Sequence, residues 1–503
     1  LRRKYAAVLA YVGITMTLAG AVILFPLVVL PAWPEEYRLA PAFVLSGLGS
    51  IFAGLLLYFL LRPRQSVLSL QEGGVLILLS WIAACVIGAI PFLLVERISV
   101  TQAVFESVSG WTTTGLSVID VTQTSKMVLL LRSTLQLVGG AGFAIIMVAT
   151  LIGPTGSSVS GAEGRTEQLV PHVRESARIV LMLYLGYTVV GIVAYVLAGM
   201  HLFDAVNHAF AAVSTGGFST RADSIGYWNS TAVEAVTLPL MLLGNMNFLT
   251  AYLILKGRLR AAARSGELRL MAILTPISIL LVLLLVCQGL YTPLAKAVRV
   301  SIFETVSALT TTGFSTVPYG QWNALGILVL VLLMVIGGGV CSTAGGLKQY
   351  RVFLLAKALV WEIRRALLPR DAVVDEHVWR GEQRCSVGDG HIREVAVFSC
   401  FYLAALGVGT LILAAHGYRL DEALFEYASA QGTVGLSVGV TSATAPPMVL
   451  WTEILGMFFG RLEFLVIFIG AARIIRDLPV LLRRPDVVDR LELSAASSTR
   501  SPP

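Results

Sequence analysis

The chain has 503 residues, of which 56% are hydrophobic and only 13% charged, and it carries a net charge of +7. So apolar a composition excludes an ordinary soluble domain and makes lipid the solvent of most of the chain. Nucleic-acid binding is excluded as well, because the basic residues gather in alternate loops rather than in one patch.

Ten apolar runs reach the roughly 20 residues needed to cross a hydrocarbon core of about 30 Å. They lie near Tyr5 to Val29, Ala42 to Leu61, Gly73 to Leu94, Met127 to Ile152, Ala177 to Ala198, Ala232 to Leu255, Met271 to Leu290, Leu325 to Leu355 (interrupted), Val395 to Ala415 and Met448 to Ile469. The predicted fold is an all-α polytopic membrane protein with ten transmembrane spans. Arg2, Arg3 and Lys4 precede the first run as in a secretion signal, but that run is too long and lacks a convincing cleavage site, so it reads as a permanent span. Cys85, Cys287, Cys341, Cys385 and Cys400 are scattered and give no disulfide or zinc spacing. Of the 37 Lys and Arg, 28 fall on one side of the resulting topology. Both termini are therefore expected in the cytoplasm, with the loops around Arg97, Arg221, Lys296 and Arg419 outside.

Between spans, one pattern occurs four times: FESVSGWTTTGLS from Phe105, NHAFAAVSTGGFS from Asn207, FETVSALTTTGFS from Phe303 and FEYASAQGTVGLS from Phe425. Aligned without gaps, the copies share a central threonine (Thr113, Thr215, Thr311, Thr433), a glycine (Gly115, Gly217, Gly313, Gly435) and a serine two residues later (Ser117, Ser219, Ser315, Ser437). Nine residues before each glycine stands Glu106, His208, Glu304 or Glu426. Each copy joins two spans on the same outer face, so it reads as a re-entrant half-helix and loop. Four span, half-helix, loop, span units in pseudo-fourfold arrangement around one pore then follow an N-terminal helix pair. The expected divisions are 1–67 for that pair, 68–160, 161–262, 263–390 and 391–490 for the four units, and 491–503 for a cytoplasmic tail. The third unit is the longest, and its charged stretch from Trp361 to Arg393 is the candidate for cytoplasmic and dimer contacts.

Non-helical backbone survives at membrane depth only where protein buries it or where it lines a watery cavity, so four such loops imply a central pore. A dehydrated K⁺ needs oxygens in place of its water, and converging backbone carbonyls supply them. Glycine permits the backbone angles that turn carbonyls to the axis, threonine adds a hydroxyl, and the half-helix C-terminus favours a cation at the centre. The candidate ion ligands are Thr113, Thr114 and Gly115; Thr215, Gly216 and Gly217; Thr311, Thr312 and Gly313; and Thr433, Val434 and Gly435. Gly216 and Val434 depart from the threonine of the other copies and keep only their carbonyls. Glu106, Glu304 and Glu426 are expected to accept hydrogen bonds from filter N–H groups, the alternative being direct ion ligation; His208 is read as structural.

The outgoing span of the third unit runs into GGGVCSTAGG, Gly337 to Gly346. Glycine costs about 1 kcal/mol per residue in a helix interior relative to alanine, and this decapeptide has five. A broken, loop-like segment below the filter is expected, formed by Gly337, Gly338, Gly339, Cys341, Ser342, Thr343, Ala344, Gly345 and Gly346. It is either a mobile gate or a site of close helix packing. Gly139, Gly140 and Gly142 read as packing glycines. Arg461 lies within the last span, where a charge is costly and needs a partner. Glu463, two residues on, points elsewhere on a helix, so Arg461 is expected to touch the glycine-rich loop, to set an electrostatic barrier, or to form a buried structural pair.

The four Thr-x-Gly copies, VCSTAGGLK from Val340 to Lys348, GRLE from Gly460 to Glu463, and LRSTLQLVGGAGF from Leu131 to Phe143 resemble the Trk/Ktr/HKT potassium-transporter superfamily over nearly the whole chain. Leu137 stands where tryptophan is expected, and the N-terminal pair resembles the TrkH-type membrane subunit rather than the KtrB type. The resemblance implies K⁺ as the transported ion and no covalently bound cofactor. It also implies a homodimer in the bacterial inner membrane, gated by a cytosolic TrkA-type ring that binds NAD or ATP/ADP. A glycine in every filter column goes with K⁺ preference in that superfamily, and Gly115 fits. The alternatives are the potassium-binding subunit of an ATP-driven pump and, in another class, a polytopic membrane enzyme. The enzyme reading lacks a nucleophile-base set or an HExxH motif.

Overall fold

A computed structural model describes residues 2–61, 69–142, 173–369, 376–380, 383–462 and 464–482. Apolar sequence in lipid must satisfy its backbone internally, and helices do so. The N-terminal pair is α1 (Arg2–Leu24) and α2 (Ala40–Leu61), followed by α3 (Leu70–Val95). Gly13 and Gly20 pack on the backbone of Gly54 and Gly47, leaving no room for a Cβ, so the pair crosses at backbone distance. The other face of α2 presents Leu45, Phe52 and Leu60 outward. Ser69 and Glu72 form a reciprocal cap at the start of α3.

The four repeat copies fold alike. The short helices α4 (Val100–Trp111), α7 (Leu202–Val213), α11 (Leu294–Leu309) and α15 (Leu420–Gln431) follow the incoming helices α3, α6 (Val173–Leu197), α10 (Gly266–Val282, extended by a π turn) and α14 (Asp389–Ala415). The outgoing helices α5 (Lys126–Gly140), α8 (Thr231–Asn245), α12 (Ala324–Ile336) and α16 (Pro447–Leu462) all stop short of a full crossing. After α8 the chain turns by 114° into α9 (Phe248–Leu255), and after α16 by 104° into α17 (Phe464–Leu482). After α12 it passes through Gly337 to Lys348 before α13 (Gln349–Leu367).

Six described helices are long and apolar enough to cross a membrane, or eight if each bent pair counts as one span. Two of the ten expected runs account for the difference. Leu325 to Leu355 is split at the glycine-rich segment, and Met127 to Ile152 leaves the described residues after Gly142. The charged stretch Trp361 to Arg393 holds an antiparallel two-stranded ribbon, His377–Arg380 with Gln383–Ser386, which the sequence reading did not anticipate.

Polar contacts at both ends tie the N-terminal pair to the rest. Glu36, buried, accepts from the N–H groups of Lys126 (2.6 Å) and Met127 (2.9 Å), placing a carboxylate at the N-terminus of α5, where the helix dipole favours it. At the opposite end, Lys4 pairs with Glu72 at 2.7 Å and Tyr5 donates to Asp477 of α17 at 3.2 Å.

Candidate functional site

Each short helix ends in one further right-handed residue and then reverses hand. Thr113, Thr215, Thr311 and Thr433 have φ of 57°, 51°, 51° and 49°, a left-handed conformation unusual for a β-branched residue. The next residue has negative φ, and Gly115, Gly217, Gly313 and Gly435 return to 96°, 70°, 82° and 96°. Alternating the sign of φ rotates successive peptide planes so that their carbonyls face one side, the arrangement a cation needs. The strain is held by the same bond in every copy. The N–H of Thr114, Gly216, Thr312 and Val434 donates to the carbonyl of Ser109, Ala211, Ser307 and Ser429, at 2.9, 2.8, 3.0 and 2.8 Å.

The four segments close on one another. A Cβ at Gly115 would fall within 3.0 Å of the Gly216 carbonyl oxygen, one at Gly217 on that of Thr312, one at Gly313 on that of Val434, and one at Gly435 on that of Thr114. First meets second, second third, third fourth and fourth first. The close approach requires glycine at each position, independently of its φ. On one side of this ring opens a vestibule of about 360 Å³ lined by all four glycines, by Ser117, Ser219, Ser315 and Ser437, and by Asp120. Side-chain and backbone hydrogen bonds from Thr122 hold the Asp120 carboxyl below the usual carboxylate range. The hydroxyls of Thr113 and Thr433 are buried with no hydrogen-bond partner among the described residues.

Side chains behind the ring fix its shape. Glu106 accepts from Ser117 Oγ (2.7 Å) and Val118 N (2.6 Å), Glu304 from Thr316 N and Oγ1 (both 2.7 Å) and from Tyr319, and Glu426 from Ser437 Oγ (2.6 Å), Val438 N (2.9 Å) and Thr441 N (3.0 Å). These N–H groups lie three or more residues beyond each glycine, on the outer limb of the loop rather than in Thr-x-Gly itself. His208 plays the corresponding part, its Nε2 2.9 Å from Ser219 Oγ. Arg132 donates through Nε to Glu106 at 3.2 Å, both side chains almost wholly buried, and its guanidinium lies 3.9 Å over the Phe218 ring.

Two further sets of residues escaped the sequence reading. Ser109 and Ser429 accept from the N–H of Gly115 and Gly435 (both 3.0 Å), while Ser109 and Ser307 donate to the carbonyls of Leu116 and Phe314 (both 2.6 Å). The second copy has Ala211 in that column, and Gln136 of α5 substitutes for the serine by donating to the Gly216 carbonyl and accepting from Phe218 N at 3.2 Å. A serine six residues before three of the glycines was the available signal; Gln136 had none, since it reaches across from another unit.

Below the ring, Gly337 to Lys348 folds back on the end of α12, with Leu347 N and Lys348 N donating to Val335 O (2.9 Å) and Ile336 O (3.0 Å). Thr343 is clasped by the second unit: its N–H and hydroxyl both reach Gly244 O, at 3.1 and 2.8 Å. Gly339 N donates to Asn245 O at 3.1 Å, and Glu267 accepts from Val340 N at 2.7 Å. Arg461 donates from Nη1 to Thr343 O at 2.9 Å and from Nη2 to the carbonyls of Gly139 and Gly140. The loop contact expected of Arg461 is present. Gly139 does pack closely, against Trp111 O, yet its carbonyl also serves as an arginine acceptor. Glu463 lies outside the described residues. Lys348 donates to Ala344 O, a second cation on the loop that the sequence reading did not single out.

Comparison with known proteins places this geometry. The family model TrkH, described as a cation transport protein, matches residues 39–477. An uncharacterised cation transporter of Methanocaldococcus jannaschii is 28% identical over 473 residues, covering 93% of this chain and 95% of that protein. The Trk system potassium uptake protein TrkH of Vibrio parahaemolyticus is 30% identical over 492 residues, covering 93% and 98%. The crystal structure of the potassium transporter TrkH from Vibrio parahaemolyticus superposes with a TM-score of 0.80 at 29% identity, over 95% of this chain and 98% of that one. The membrane-enzyme alternative is set aside accordingly: the chain belongs to the TrkH family of cation transport proteins.

Proposed function

We propose that the chain takes up K⁺ across the bacterial inner membrane through one pore in which the four Thr-x-Gly segments, in pseudo-fourfold arrangement, form the selectivity filter. The observation that carries this reading is the cyclic contact of Gly115, Gly217, Gly313 and Gly435 with the next segment's carbonyl. Four left-handed threonines and two buried hydroxyls with no partner among the described residues support it, as do relatives named potassium uptake proteins. The short-helix C-termini aim partial negative charge at the same point. Gly115, rather than serine, favours K⁺ over Na⁺.

In this reading Gly337 to Gly346 is an intramembrane gate and Arg461 its brace. The protein works as a homodimer with both termini cytoplasmic, and a cytosolic TrkA-type ring holding NAD or ATP/ADP acts on the gate. The basic stretch Trp361 to Arg393, with its β-ribbon, is the proposed contact for that ring. The test is growth of a bacterium stripped of its K⁺ uptake systems on limiting K⁺. Expression of this chain with its regulatory subunit restores growth, and the Gly115→Ser variant restores it less well when Na⁺ is abundant. Equal growth of empty vector and wild type, with the protein present in the membrane, would contradict the proposal.

A further inference from the structure

The loop below the ring touches three of the four filter threonines through the atoms a cation would use. Thr215 Oγ1 lies 3.2 Å from Thr343 Oγ1. Gly345 N donates to Thr311 Oγ1 at 2.7 Å. The Gly345 α-carbon presses on the fourth segment so tightly that a Cβ would fall within 3.0 Å of both Thr433 Oγ1 and Gly432 O. All three threonine side chains are fully buried.

We propose that the loop seats by latching onto the hydroxyl oxygens of the filter's own threonines, so that loop seating and cation coordination at the inner end of the filter compete for the same atoms. The proposal rests on the pore reading above and adds to it what holds the gate shut and what releases it. A hydroxyl has one proton and two acceptor positions. With the loop seated, Thr311 spends an acceptor position on the Gly345 N–H, and Thr215 faces the Thr343 hydroxyl or its own Ser214 carbonyl at 2.7 Å. A K⁺ at that level needs these oxygens turned toward the axis and dehydrates only if enough of them are available. Each ion that reaches the inner end thus weakens the latch, and an empty inner end strengthens it. Two states biased by one ligand in this way are coupled reciprocally.

Thr343 and Gly345 are the two residues on which the latch can be tested. Thr343→Val keeps the shape and removes the hydroxyl that meets Thr215 and Gly244. Gly345 has an ordinary φ, so Gly345→Ala penalises only the seated position. The experiment is initial-rate Rb⁺ uptake into proteoliposomes across a range of Rb⁺ concentrations, with K⁺ and Na⁺ as competitors, for monodisperse preparations of wild type, Thr343→Val, Thr343→Ser and Gly345→Ala. The expected result is a wild-type rate that rises more steeply than a hyperbola, because entering ions unseat the loop. Thr343→Val and Gly345→Ala should give hyperbolic curves with rates at low Rb⁺ raised about tenfold, the factor that each 1.4 kcal/mol of lost latch contributes. Thr343→Ser should restore the wild-type curve. Wild-type rates and curve shape in both Thr343→Val and Gly345→Ala, with competition by K⁺ but not Na⁺ intact, would overturn the latch alone. Wild-type uptake without K⁺ preference would overturn the pore reading and the latch with it.

Discussion

The guanidinium of Arg461 donates to the carbonyl of Thr343 at 2.9 Å and, from its other terminal nitrogen, to the carbonyls of Gly139 and Gly140. One arginine of the fourth unit thereby joins the loop of the third unit to the C-terminal end of α5 in the first. Hydrogen bonds from a charged donor contribute about 1.5–3 kcal/mol each, so this is a substantial part of what seats the loop.

Arg461→Ala is therefore expected to raise K⁺ flux, by about tenfold or more if one such bond is lost from the seated state only. Rb⁺ uptake by the purified variant measures this. Arg461→Lys should fall between, since an ammonium cannot span both carbonyl groups with a planar fork. A flux equal to wild type in the alanine variant would mean that the contact is structural only.

Gln136 of the first unit supplies the side-chain hydrogen bonds to the backbone of Gly216 and Phe218 in the second segment. Gln136→Leu is expected to keep the protein folded and conducting but to lower its K⁺ over Na⁺ preference severalfold, read as the ratio of competition constants. The same change should leave the first, third and fourth segments in place, because serines hold those.

Removing one partner of a buried ion pair leaves the other charged and uncompensated, at about 3–5 kcal/mol. Arg132→Met is expected to lower the unfolding temperature in detergent accordingly, and Glu106→Gln to do so less, because an amide still accepts from Val118 N and Ser117 Oγ. Thermal denaturation followed by loss of monodispersity checks both.

Asp120 sits at the vestibule, with its carboxyl held below the usual carboxylate range by Thr122. A depressed value means that the negative charge is present above it and is lost only as the pH falls through it. The half-saturating Rb⁺ concentration should therefore stay constant from neutral pH down into the ordinary carboxylate range. Asp120→Asn should raise it modestly throughout that range, and more at low ionic strength, where exposed charge is less screened.

The four Thr-x-Gly segments were legible in sequence because the ring they close uses the same backbone four times, and glycine and threonine at fixed spacing record it. The glycine run from Gly337 was legible for a similar reason, since no helix tolerates five glycines in ten residues. The turns at Asn245 and beyond Leu462 were not, because the polar residues there, Asn245 and Asn247 at one and Arg461 at the other, interrupt the apolar runs too briefly to record a backbone that bends by more than a right angle. Nor was the function of the Glu106, Glu304 and Glu426 column fully legible. Its partners on the outer limb, such as Tyr319 and Thr441, are set by how the loop returns, and a linear pattern does not record that.

The ring contacts among Gly115, Gly217, Gly313 and Gly435 carry the pore reading, and alanine at these positions meets both a left-handed backbone and a carbonyl oxygen of the next segment. The measurement is Rb⁺ uptake into proteoliposomes, competed by K⁺, Na⁺ and Li⁺, for wild type and for Gly→Ala at each position in turn. Wild type should be competed by K⁺ alone, and every one of the four variants should lose selective uptake while remaining in the membrane. Selective uptake that survives alanine at any two of the four positions would contradict a filter built from all four segments.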